Sequence, residues 1–128
     1  MKRLAIIALA ALAPLAAPAQ TASQAETEVV SRIAGCLVQG LPEDWQRIHM
    51  IVELAEPGAG TGDVRYLVAR AGSADFVEPY LPCDTRTPAL ILLEAREQQT
   101  PERRGWTGAR IVLYRNGKFQ LNYDYPDK

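Results

Sequence analysis

Arg110-Ile111-Val112-Leu113-Tyr114-Arg115-Asn116-Gly117-Lys118-Phe119-Gln120-Leu121-Asn122-Tyr123-Asp124-Tyr125 is the stretch that decides the fold. Two runs rich in β-branched and aromatic residues flank Asn116-Gly117, the dipeptide that best tolerates the positive φ angles of a tight type I′ turn. A two-residue turn pairs Tyr114 with Phe119, Val112 with Leu121 and Arg110 with Tyr123 on one face. Ile111 with Asn122, Leu113 with Gln120 and Arg115 with Lys118 then share the other. The first set is expected to face the core.

Working back from this hairpin, Leu90 to Gln99 is dominated by Leu, Ala, Glu, Arg and Gln, which favour helix. Thr87-Pro88 reads as its start, a hydroxyl cap followed by proline in the first turn. Pro101 and Gly105 close it, and Arg103-Arg104 reads as a solvated loop. Earlier still, Ile48, Met50, Val52 and Leu54 alternate with Arg47, His49, Ile51 and Glu53, a strand with one buried face. The glycine-rich run Pro57 to Asp63 follows a strand and opens no helix, so it reads as a hairpin loop and not a phosphate cradle. Val64 to Ala69 return, and a short strand near Phe76 to Tyr80 is confined to an edge by Pro79.

The first helix is announced by Ser23 and Glu26, spaced as a capping box. Val29, Val30, Ile33, Ala34, Leu37 and Leu41 then recur at helical steps, and Gly40 with Leu41-Pro42 stops the run. The order α-β-β-β-α-β-β predicts an α+β domain: an antiparallel sheet of about five strands with both helices on one face.

Ahead of that domain, Lys2-Arg3, the apolar block Leu4 to Leu15 and Ala17-Pro18-Ala19 have the order of a secretory signal peptide. Cleavage after Ala19 is expected, leaving residues 20–128 as one domain in the periplasm, with no membrane anchor. The block is shorter than the roughly 20 residues that span a bilayer. The chain carries 14 Lys+Arg against 15 Asp+Glu, and loss of Lys2 and Arg3 leaves a net charge of −3. That balance disfavours nucleic acid as a partner. Two cysteines, Cys36 and Cys83, in an exported chain predict a disulfide.

The inventory for catalysis is thin. His49 is the single histidine, and it reads as a strand residue on the solvent side. A small hydrolase using His49 with a carboxylate such as Glu53 is the enzyme alternative, and it lacks a nucleophile or base–orienter pair in the sequence. Ser23, Ser31 and Ser73 read as a cap, a helix face and a loop. No cofactor or metal site is expected. Trp45 and Trp106 each precede a strand, where they cap the sheet or anchor a partner.

The sequence Leu41-Pro42-Glu43-Asp44-Trp45 after a first helix, then Gly105-Trp106-Thr107, then Gly117-Lys118-Phe119 leading into Tyr123-Asp124-Tyr125, resembles the YezG-like family of bacterial immunity proteins. The resemblance extends loosely over roughly residues 24–127. It implies a small α+β antitoxin that neutralises a partner toxin by stoichiometric binding, here one acting in the periplasm and encoded by a neighbouring gene. Unlike those cytosolic proteins, this chain has an export signal and a paired cysteine count. The family brings no catalytic residues. Glu43, Asp44 and Trp45, with Asp124 and Tyr125, are the expected partner-binding residues, acids and aromatics suited to a basic cleft. A binding or envelope structural protein without a toxin partner is the alternative.

Overall fold

The computed structural model describes residues 23–72 and 76–126. The expected signal peptide, its cleavage point and Ser73 lie outside them. The elements are α1 (Gln24–Leu37), β1 (Trp45–Leu54), β2 (Gly62–Arg70), β3 (Val77–Pro79), α2 (Thr87–Arg96), β4 (Gly108–Tyr114) and β5 (Phe119–Asp124). The five strands form one antiparallel sheet in the order β3-β2-β1-β4-β5. This is the α+β architecture the pattern predicts.

Helix α1 begins on the capping box: the Ser23 hydroxyl accepts from the Glu26 N–H at 3.0 Å while Glu26 accepts from the Ser23 N–H at 3.3 Å. Val30, Ile33 and Leu37 on α1 and Leu92 on α2 bury against Ile48, Met50, Val52 and Ile111. Both helices therefore lie on one face, and the alternation of β1 works as read. Gly40 ends the α1 turn at φ 79°, and its missing Cβ admits the Leu81 carbonyl. The Cys36–Cys83 disulfide joins α1 to the segment before α2.

Helix α2 departs from its expected start. Thr87 is not the cap: its hydroxyl donates to Asp84 at 2.7 Å, and the other Asp84 oxygen accepts from the backbone N–H groups of Arg86 and Thr87 at 2.8 and 2.7 Å. A carboxylate three residues upstream satisfies the orphan donors better than the hydroxyl, and those bonds hold the Asp84 carboxyl below its usual range. The helix also stops at Arg96, with turns through Gln99.

The terminal hairpin is shifted by one residue from expectation. Leu113 pairs with Phe119, Ile111 with Leu121 and Ala109 with Tyr123. The loop has three residues, Arg115, Asn116 and Gly117, with only Gly117 at positive φ, 93°, and the Gly117 N–H bonded to the Tyr114 carbonyl at 2.9 Å. A turn that closes with a left-handed glycine after Asn116 replaces the type I′ geometry. The slip moves Ala109, Ile111 and Leu113 to the covered face and Arg110, Val112 and Tyr114 to the other. On β5 the expected face, Phe119, Leu121 and Tyr123, does pack on the core.

Candidate functional site

Strand β5 ends the sheet, so one side of its backbone has no strand partner among the described residues. An exposed row of N–H and C=O groups is a template for another chain. Within it Phe119–Asp124 contains neither proline nor lysine, and its one charged residue is Asp124 at the far end. Beside this edge two cavities, of about 560 and 720 Å³, adjoin one another and share Glu26, Arg103, Leu121 and Tyr123 in their walls. They form one groove bounded by β5, the first turns of α1 and the segment after α2.

The floor is apolar and aromatic. Leu121, Tyr123 and Val29 line it, and the Tyr123 ring stacks between the buried Trp106, 5.2 Å away, and Tyr125, 6.5 Å away. Burial first, then the Glu26 carboxylate and Tyr125, pushes the Tyr123 hydroxyl up to about 12. The walls are mainly acidic: Glu26, Glu28, Glu94 and Glu102 face Arg32 and Arg103. Across the groove Arg32 of α1 bridges to Glu94 of α2 at 3.2 Å, and Arg103 in the turn after α2 bridges to Glu26 of α1 at 3.9 Å. Arg103, read from sequence as a loop residue in solvent, is thus a wall residue of this groove. The Tyr125 hydroxyl closes one end by donating to the Arg103 carbonyl at 2.9 Å.

The five expected binding residues fall at opposite ends of the sheet. Tyr125 lines the groove, and Asp124 neighbours it while its carboxylate stands 3.9 Å from Arg110 on the other face. Glu43, Asp44 and Trp45 lie at the start of β1, about 26 Å of strand away from Glu53, which pairs with Gly108 and so sits beside Asp124. There the Asp44 carboxylate takes the Arg70 guanidinium at 2.8 Å, and Arg115 lies over the Trp45 ring while donating to the Glu43 and Trp45 carbonyls, both at 2.7 Å. A register shift between Trp45 and Arg47 turns Trp45 onto the core side. This corner is held by its own contacts. Trp106, fully buried, donates its indole N–H to Gln99 at 3.0 Å and is a core residue.

The uncovered face carries His49, half-buried, whose Nε2 accepts from the Arg47 side chain at 2.9 Å. Burial, then Arg47 and Arg110, lowers its pKa, as a lone pair used for a guanidinium bond requires. Glu53 lies four residues along the same strand, about 13 Å away, so His49 has no orienting carboxylate there. Cys36, Cys83 and Asp84 bring three ligand-type groups within 4.8 Å. Their sulfurs are bonded to each other and both Asp84 oxygens serve the start of α2. What the groove can do chemically is hold an extended chain, by backbone pairing to β5 with side chains set into an aromatic, acid-walled trough. No family model matches this chain, and no curated protein matches it in sequence.

Proposed function

We propose that the domain is a periplasmic immunity protein that neutralises a partner toxin by stoichiometric occlusion, holding an extended, basic segment of that partner against β5. The observation that carries the reading is the groove itself, an edge strand without proline or lysine lying beside a continuous trough with an aromatic floor and four glutamates in its walls. Main-chain pairing supplies affinity, and alternate side-chain pockets supply specificity. The acid excess speeds encounter with a basic segment, and buried aromatics slow release. The expected export signal supports an encounter outside the cytosol, and the resemblance in Trp106 to Tyr125 supports the immunity form of binding. Tyr125 and Asp124 remain partner-contact residues in this proposal.

The test directs the neighbouring gene product to the periplasm with and without this protein, followed by co-purification. Toxicity relieved by the wild type, with a one-to-one complex, is the expected result. Glu28→Lys combined with Glu102→Lys, both at exposed positions, should abolish relief while thermal unfolding stays unchanged. A neighbour that is harmless alone, or toxicity that persists beside abundant folded protein, overturns immunity. Relief that survives the double reversal overturns the groove as the site.

A further inference from the structure

We propose that the free edge of β5 pairs with the same edge of a second copy of this chain, in a weak, reversible dimer that covers the edge while no other partner is bound. The hydrogen-bond pattern decides which groups the edge offers. The Tyr114 N–H bonds the Lys118 carbonyl and the Thr107 N–H bonds the Asp124 carbonyl, each at 2.8 Å. Successive residues of a strand turn their main-chain groups to opposite sides. Lys118, Gln120, Asn122 and Asp124 therefore bond toward β4, while Phe119, Leu121 and Tyr123 present their N–H and C=O groups outward.

A two-fold axis at Leu121 makes this edge complementary to itself. Set antiparallel about that centre, Leu121 faces Leu121, Phe119 faces Tyr123, Gln120 faces Asn122 and Lys118 faces Asp124 of the second copy. The outward residues fall opposite one another, so each of those pairs exchanges two main-chain bonds. On the helix side leucine meets leucine, and Phe119 of one copy extends the aromatic trough of Tyr123 and Tyr125 in the other. On the open side amide meets amide and cation meets anion. Lys118 has no ion-pair partner among the described residues, and the Asp124 side chain, 64% exposed, has a single bridge, to Arg110 at 3.9 Å. Moving the axis to Gln120 or to Asn122 sets Lys118 opposite Asn122 or Pro126 instead, so the Leu121 register is the one that joins the charges. A strand of six residues spans about 20 Å, and pairing along it buries less than the roughly 1,600 Å² of a standard interface. The dimer therefore dissociates on dilution and yields to a partner that fills the groove as well. That last step rests on the function proposed above; the self-pairing does not.

The chain by itself is the probe. Sedimentation equilibrium from about 1 µM to about 1 mM should show reversible passage from monomer to dimer, as an interface below standard size requires. Amide exchange at Phe119, Leu121 and Tyr123 should slow several-fold over that range, while Gln120 and Asn122, already bonded to β4, stay unchanged. Disulfide trapping reads the register. Gln120 and Asn122 are exposed and face each other across the axis as a pair without main-chain bonds, about 4.5 Å apart at Cα, within disulfide reach. A mixture of Gln120→Cys and Asn122→Cys chains should cross-link on mild oxidation, and neither variant should cross-link with itself. Lys118→Asp should weaken association several-fold, and Lys118→Arg should preserve it. A monomer at every concentration, oligomers beyond the dimer, slowed exchange at β3 in place of β5, cross-linking within either cysteine variant alone, or indifference to Lys118→Asp would each overturn the proposal. These measurements need no toxin, so their failure leaves the groove reading standing, and relief of toxicity decides that reading separately.

Discussion

The guanidinium of Arg96 lies 5.5 Å from the centre of the Trp106 ring and donates past it to the carbonyls of Ala59 and Gly58, at 3.0 and 3.3 Å. Arg96 is 7% exposed, the one buried charged residue of the core among the described residues. It fastens the glycine-rich β1–β2 loop to the end of α2 without any secondary-structure pairing between them. A buried charge is tolerated because its donors meet carbonyls and its flat face meets an indole.

Replacing Arg96 with Met keeps the volume and removes those bonds. The expected loss is about 2 to 4 kcal/mol of stability, from charged hydrogen bonds and a cation–π contact together. Urea unfolding measures it, and amide exchange of Ala55 and Ala59 should accelerate in the native state. An unchanged midpoint would show that the loop holds itself.

The disulfide closes a separation of 47 residues. On the loop-entropy view its removal by Cys36→Ser with Cys83→Ser costs about 4 kcal/mol. Denaturation of the oxidised wild type and the double variant gives the difference, and thiol titration of the unfolded wild type should find no free thiol.

Alkaline pH should loosen the fold through buried phenols. Burial first, then the Asp84 charge, pushes Tyr66 up to about 12, and Tyr123 stands at about 12 for the reasons given above. Burial and then Tyr66 also raise Tyr80, whose hydroxyl donates to the Leu37 carbonyl at 2.8 Å. These groups are neutral when protonated, and their folded pKa values exceed the ordinary value near 10. Their contribution is thus whole below about pH 10 and falls as pH rises toward 12. Urea midpoints between pH 8 and 11, compared with those of Tyr66→Phe, should show that decline, about where absorbance reports phenolate.

His49 acts in the opposite sense on the acid side. Its folded pKa lies below the ordinary 6.5, so the stability it confers is present above that value and is lost as pH falls through the folded pKa. Nuclear magnetic resonance titration of its ring should find the midpoint below 6.5. His49→Gln should flatten the acid limb of the stability curve.

The hairpin shift has its own test. Ile111 is 1% exposed on the covered face, whereas Val112 lies on the other. Ile111→Thr should cost about 2 to 3 kcal/mol and Val112→Thr less than half of that. The reverse order of urea midpoints would restore the type I′ register.

What the sequence determined by itself was local and periodic. The Ser23 and Glu26 capping box, the β1 alternation and the edge position imposed by Pro79 each depend on neighbours within a few residues, so spacing alone predicts them. The even cysteine count likewise predicted the Cys36–Cys83 bond. Tertiary structure decided the rest. Ile111, Val112 and Leu113 are all apolar, and period two cannot choose a face for such a run; packing on α1 and α2 together with the three-residue loop chose it. Asp84 displaced Thr87 as the cap through bonds only two and three residues long, so that cap too was written in local sequence and the Thr87-Pro88 reading passed over it. Arg103 became a groove wall and Arg96 a core residue because distant segments, Glu26 in one case and the Pro57 to Thr61 loop in the other, fold against them. A charged side chain shows no sign in sequence of the partner that will bury it, since that partner is chosen by the topology of the chain.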